Sequence, residues 1–249
     1  MLQGYYSAAS AMSAALHNQD ILAQNLAHAP VPGYRRQALS FEEFVPQGAA
    51  PAGSISGGTS VANPSGSYGT QVAQHSSSFA AGPYQYTGNP LECAIQGDGF
   101  FVLDGPNGPL YTRNGQFHVN SDGVLVSPGG YAVSGSNGTL RIPANAGQIH
   151  IAQDGTVIAD DVPVGQIRLA SFADSSQLQR VGPTLFTAPN DTPPQTSTAW
   201  IRQGYREGSN VQIVQEMVQM IAGMRQYEAA AKALRSLSDA MQQRTNAQM

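Results

Sequence analysis

The sequence predicts a mixed, mainly β protein, with a central all-β domain flanked by N- and C-terminal α-helices that pair as a coiled coil on assembly. Three observations predict it. Apolar residues recur in alternating steps of three and four at both ends of the chain, the heptad pattern of a helix with a narrow apolar seam. Between these ends lie short alternating segments, divided roughly every 8 to 12 residues by Gly-, Asn- and Asp-rich turns, as in β domains. Charged residues make up 11% of the 249, against about 25% in an ordinary soluble domain. Little of the surface is held in water by charge, which suits contact with other protein.

Residues 1–36 read as an axial helix and its stop. Its seam runs through Leu2, Tyr5, Ala9, Met12, Leu16, Gln19, Ala23 and Leu26, with Asn25 beside it. Asp20 is the sole acid or base before Arg35, and Pro30, Pro32 and Gly33 end the helix. A helix with no charged face has no side committed to water and is normally surrounded. Two helices cannot surround one another, so sister subunits are expected to complete the packing. Without them the ends should fray, because a short heptad helix alone is marginal.

Residues 37–90 form a low-charge connector. No Asp, Glu, Lys or Arg occurs between Glu43 and Glu92, and Gly, Ser and Pro dominate from Pro46 to Thr70. Such a stretch buries too little apolar surface to offset its ordering entropy and is expected to be unordered in the free chain. Tyr68, Val72, Phe79, Tyr84 and Tyr86 mark a return to extended strand.

Residues 91–202 read as the β domain. Strands are expected at Gly99–Leu103, Leu110–Arg113, Gln116–Val119, Val124–Val126, Tyr131–Val133, Gln148–Ala152, Thr156–Ala159 and Val164–Phe172. Gly and Asn in the intervening turns supply the left-handed backbone that tight hairpins need. Residues 203–249 read as the second axial helix, opened by a capping box at Ser209 and Gln212. Its seam is Ile213, Met217, Met220, Met224, Tyr227, Ala231, Leu234 and Met241. Methionine packs adaptably and suits an interface with non-identical neighbours.

Several chemistries find no support. Twelve basic residues in a chain of net charge −4 give no field for nucleic acid. No run of about 18 apolar residues suggests a membrane span, and Met1–Ala15 lacks the form of a cleavable secretion signal. Cys93 has no second cysteine to pair with and reads as a buried small hydrophobe. The histidines are scattered, Gln96-Gly-Asp-Gly-Phe-Phe101 lacks the helix of a phosphate loop, and Asp122, Asp160 and Asp161 sit where turns ask for Asp. No catalytic, cofactor or metal site is expected. Arg35, Arg36, Glu42 and Glu43 are candidates for ion pairs between subunits, or equally for a solvated elbow.

Several segments together resemble the rod and hook family of bacterial flagellar axial proteins. They are Leu22-Ala-Gln-Asn-Leu-Ala-His28 with Pro32-Gly-Tyr-Arg-Arg36, Asn89–Val102, Tyr111-Thr-Arg-Asn-Gly115, Asp122–Val126 and Gln203–Val211, leading into Glu216-Met217, Arg225 and Tyr227-Glu228. The positions matching the family pattern are Asn25, Leu26 and Ala27; Gly33 and Tyr34; Gly97, Gly99, Phe100 and Phe101; Tyr111, Thr112, Arg113 and Gly115; and Glu207, Ser209, Asn210 and Val211. Gln24 and His28 depart from the Asn residues of the N-terminal box, and Glu92 stands where Asp is common. The resemblance implies a structural subunit of the basal-body rod, polymerising through its terminal helices into a hollow shaft. Its partners would be itself, other rod subunits and the type III export apparatus, and its location the periplasmic rod, reached without signal cleavage. The opening Leu2-Gln-Gly-Tyr-Tyr6, the short Ser134–Pro143 stretch and Met220-Ile-Ala-Gly-Met-Arg225 look closer to the proximal than to the distal rod type. The alternative from another class is a soluble β module binding a carbohydrate or other ligand, which would have no use for apolar terminal seams.

Overall fold

The computed structural model describes residues 2–44, 69–143, 146–189 and 191–247. The chain forms two compact units, one of Met1–Leu26, Gln37–Ser76 and Ile213–Met249, the other of Ala27–Arg36 and Ser77–Gln212.

The first unit holds most of helix α1 (Leu2–His28) and all of helix α2 (Ile213–Ala247). They run in opposite directions. Asn25 bonds Glu216, and Gln19 lies against Gly223, so an advance of about one heptad on α2 matches a similar retreat on α1, the repeat that keeps two helical faces together. Helix α1 buries Ile21, Leu22 and Asn25. At 3.6 residues per turn these lie across the helix from Leu16 and Ala23 of the expected seam, which are exposed, while Ala9, Met12 and Leu26 are half-buried. On α2, buried Glu216 and Gly223 line up with half-buried Met220, Tyr227, Ala230 and Leu234. Ala231 of the expected seam is half-buried too, while Ile213, Met217 and Met224 face outward and join Val214, Val218 and Ile221 in an exposed apolar stripe. The side chains of Leu2, Tyr5 and Met241 lie outside the described residues. The unit also contains a strand pair, Gln37–Phe44 with Gly69–Ser77. The Gly-, Ser- and Pro-rich stretch, residues 45–68, lies outside the described residues.

The second unit is built on a ten-stranded sheet in which Phe100–Gly105 is central, between Gly108–Thr112 and Ala132–Gly135. Phe100-Phe101-Val102-Leu103 is buried throughout because alternate side chains feed opposite faces. Phe101 and Leu103 join Cys93, Ile95, Phe117 and Val133, together with Ile151 and Val157 of a three-stranded sheet (Ile149–Ile151, Thr156–Ala159, Val162–Gln166). Phe100 and Val102 pack on Tyr111, Ala170, Leu178 and Phe186. The expected turns close as hairpins, Gly105 opposite Gly108 and Gly135 opposite Gly138. Asp160 and Asp161 adopt left-handed φ of 48° and 67°, and the Asp160 carboxylate accepts the Gly147 and Gln148 N–H groups.

Two elements differ from expectation. The single strand Val164–Phe172 is two strands, Val162–Gln166 and Leu169–Ser171. Between them Ile167 N–H donates to Gly155 O and Arg168 N–H to Ser134 O, so the chain leaves one sheet for the other. A period-two pattern continues through such a crossing and cannot reveal it. Helix α2 starts at Ile213, not near Ser209, and the capping box does not form. Ser209 Oγ instead accepts the Val211 N–H at 3.1 Å, and Tyr205–Glu207 just upstream is a strand paired with Tyr84–Tyr86.

Cys93 is fully buried, and burial, aided by Glu92, pushes its thiol up from near 9 to about 12. Below pH 9 both folded and unfolded thiols are neutral and the full stability is present. As pH rises from 9 toward 12 the unfolded thiol ionises first, so stability falls by ~1.4 kcal/mol per pH unit from this group. Chemical denaturation between pH 8 and 11 should show this slope in the native chain and a shallower one in Cys93→Ala.

Candidate functional site

Three motifs far apart in sequence meet inside the β unit. Gly33-Tyr-Arg35 follows α1, Tyr111-Thr-Arg-Asn-Gly115 leaves a central strand, and Glu207 ends the last strand. Glu207 is fully buried between two guanidinium groups. Arg35 Nη2 lies 2.7 Å from its Oε1 and Arg113 Nη1 3.3 Å from its Oε2. The Gly82 N–H also donates to Oε1 at 3.0 Å. Arg113 reaches onward to Gly97 O at 2.8 Å, and the Tyr84 hydroxyl donates to Ile95 O at 2.9 Å. Burial lowers the Arg113 pKa, with Glu207 opposing; burial raises the Tyr84 phenol, with Glu207 adding to it.

The backbone around this cluster is drawn tight. Gly33 has φ of 70° and donates its N–H to Glu207 O at 2.8 Å. A Cβ there would overlap the Asn114 backbone, and one at Gly115 would overlap Cys93 O. The buried Tyr34 ring stacks on His28, centroids 5.0 Å apart and 8° from parallel. Arg180 covers Tyr34 and Phe186 at 5.0 and 4.8 Å, and its Nη2 donates to Arg35 O at 2.6 Å. His28, which departs from the Asn of the N-terminal box, makes this ring contact with Tyr34. Asn210 accepts the Arg36 N–H at 2.7 Å and donates to Ser78 O and Ala80 O.

Asn25 does comparable work in the helical unit. Its amide exchanges two bonds with the backbone of Gln37, Nδ2 to O and Oδ1 from N–H, each at 2.9 Å, as a strand neighbour would. Nδ2 also reaches Glu216 Oε2 at 3.2 Å.

The structure therefore brings Gly33, Tyr34, Arg113, Gly115 and Glu207 to one place and gives each a contact. Phe100, Phe101, Tyr111 and Thr112 are core residues of the central sheet, Gly97 offers its carbonyl to Arg113, and Gly99 is buried beside Ser197. Arg35 is corrected: it is neither an exposed elbow nor an intersubunit ion pair, because Glu207 claims it within the chain. Spacing gave no signal for Arg180 or Ile21, and Glu216 stood out only among the residues that carry the resemblance. Among the described residues no group of three or more His, Cys, Asp or Glu side chains gathers to hold a metal, and no helix is long and apolar enough to cross a membrane.

The cluster holds four chain segments of the β unit together, as the framework of a structural protein does. Residues 94–159 match the model of the flagellar hook protein FlgE/F/G D1 domain, and residues 202–247 that of the flagellar basal body rod FlgEFG protein C-terminal region. The chain is 31% identical to the flagellar basal-body rod protein FlgG of Bacillus subtilis, over 99% of both chains. It is 32% identical to FlgG of Agrobacterium fabrum over 91% of this chain and 92% of that one. It is 34% identical to the flagellar basal-body rod protein FlgF of Caulobacter vibrioides over 86% of this chain and 85% of that one. The chain belongs to the flagellar basal-body rod protein family and is a structural subunit of the rod.

Removing the shared carboxylate would leave two buried guanidinium groups uncompensated. Glu207→Gln should cost about 3–5 kcal/mol of stability. Arg113→Met, which leaves Glu207 paired with Arg35, should cost clearly less. Urea denaturation of the two variants beside the unaltered chain checks the order.

Proposed function

We propose that this subunit polymerises through its terminal helices, as a coiled coil completed by sister copies, into the hollow shaft of the periplasmic rod. One observation carries the reading: the outward stripe of Ile213, Val214, Met217, Val218, Ile221 and Met224, each about half exposed or more. Full burial of such a side chain is worth roughly 1.5–3 kcal/mol, and about half of that remains to be gained at each, so the stripe as a whole favours association. Helix α1 carries one charged side chain, Asp20, and leaves Leu16 and Ala23 outward. The seam positions Leu2, Tyr5, Ala9, Met12, Leu16, Ala23, Leu26, Ile213, Met217, Met220, Met224, Tyr227, Leu234 and Met241 then divide between contacts inside the chain and contacts to neighbours.

Export through the type III apparatus without cleavage, and contact with other rod subunits, follow from the same reading. Within the rod we place the chain in the proximal segment, on its opening residues, its short Ser134–Pro143 stretch and Met220–Arg225. The ligand-module alternative loses its support, because a binding module gains nothing from the stripe.

The triple variant Met217→Asn, Val218→Asn, Ile221→Asn should fold with an unaltered circular dichroism spectrum yet fail to restore motility to a strain lacking this chain. Full restoration would refute helix-driven assembly. A tagged copy at the distal end of purified basal bodies would overturn the proximal placement.

A further inference from the structure

The β unit carries an open groove beside the chain's single tryptophan. Trp200 begins the strand Trp200–Gln203, which pairs with Cys93–Gln96 so that Trp200 lies opposite Gln96 and Ile201 opposite Ile95. Ile201 is buried, and the pleat turns Trp200 the other way, leaving it 59% exposed. Two hollows of about 760 and 680 Å³ meet along Thr196, Thr198, Ala199 and Trp200. Each falls within the roughly 300–1,000 Å³ of ligand sites. Gly97 and Gly99, which match the family pattern, let the segment before Trp200 lie close. Gly97 has φ of 106°, and a Cβ at Gly99 would stand 2.6 Å from Ser197 Oγ. The Ser197 hydroxyl donates to Asp98 O at 2.6 Å and accepts the Ala199 N–H at 3.1 Å, so this segment is fixed.

The chemistry of the lining identifies the occupant. In the first hollow the Gln166 amide is held, donating to Asp154 O at 2.9 Å and accepting from Ser136 Oγ at 3.3 Å. The Asp154 carboxylate accepts the Thr156 N–H and hydroxyl. Gln153, Arg168, Thr196 and Thr198 offer side-chain donors and acceptors that no described residue takes up. Asp98 brings a carboxylate to the second hollow. One base and two acids leave the groove slightly negative, so a neutral ligand suits it better than an acidic one. A flat indole bordered by interspersed donors and acceptors matches a hexose. The C–H face of such a ring is apolar, while its hydroxyls both donate and accept. Two hollows joined at one aromatic platform call for an extended chain of several rings, the shape that β-linked hexoses adopt. A polyproline segment fits less well, because it docks in a groove lined with aromatic rings. Phe172, which also lines the second hollow, is packed edge-on against Phe100 and Tyr111 and leaves Trp200 as the free platform.

We propose that this groove binds a neutral, extended β-linked oligosaccharide, one sugar ring stacked on Trp200 and its neighbours hydrogen-bonded in the two hollows. The groove lies wholly within the β unit and leaves the helical stripe unexplained, so it adds to assembly instead of replacing it.

Trp200 reports on its own site, since no other tryptophan contributes to the emission. Chitohexaose or cellohexaose added to the full chain should move its fluorescence to shorter wavelength in a saturable way. By calorimetry, Trp200→Ala should weaken binding about tenfold or more. Gln153→Ala with Arg168→Ala, which keeps the platform, should weaken it about tenfold, both variants retaining the far-ultraviolet circular dichroism of the unaltered chain. Hyaluronan hexasaccharide, acidic and of equal length, should bind more weakly than the neutral chains. Three results overturn the proposal: no saturable response to either neutral hexasaccharide, undiminished binding by Trp200→Ala, or tighter binding of hyaluronan or of a proline decapeptide. The Met217→Asn, Val218→Asn, Ile221→Asn chain should bind chitohexaose as the unaltered chain does, so a failure of rod assembly and a failure of this site are read separately.

Discussion

The fold of the β unit turns on one carboxylate. Glu207 sits without solvent between Arg35 and Arg113 and also takes the Gly82 N–H, so four chain segments converge on two oxygen atoms. Desolvating three charges is expensive, and a well-packed apolar trio would hold these segments at no greater cost. What the ionic version adds is exact placement. A carboxylate accepts guanidinium groups along narrow directions, and this fixes where the chain leaves α1 and where the last strand ends. The close approaches at Gly33 and Gly115 lie beside it, and the Gly33 N–H bonds the Glu207 carbonyl.

The helical unit is governed by the opposite condition. Its polar anchor is modest, the Asn25 amide set on the Gln37 backbone and on Glu216, and its apolar surface exceeds what two helices can hide from each other. The excess collects on one side of α2. Membership of the rod family makes that excess intelligible, since a subunit of a continuous shaft must keep adhesive surface that its own fold does not consume.

Much of this was legible in the sequence, for identifiable reasons. The hairpins were readable because Asp-Gly-Pro-Asn-Gly and Ser-Gly-Ser-Asn-Gly announce their backbone requirements locally. Both helices were readable from periodicity. Less legible was which face each helix buries. A seam counted in steps of three and four admits a neighbour such as Glu216 in place of Met217, and the choice is settled by Gly223 opposite Gln19, a tertiary fact. Arg35 looked like a surface charge because nothing near it in sequence is its partner; Glu207 lies far along the chain. The crossing at Ile167 was hidden for the same reason, its hydrogen bonds going to Gly155 and Ser134 while its alternation stays regular.

The pairing of Arg35 with Glu207 also bears on the order in which the molecule takes shape. The acceptor for a residue near the start is synthesised late, 172 residues further on. Contacts of such long separation are slow to close, and until the final strand emerges the β unit lacks both its edge partner for Tyr84–Tyr86 and the charge that neutralises its core. The β unit therefore closes only after most of the chain has been made.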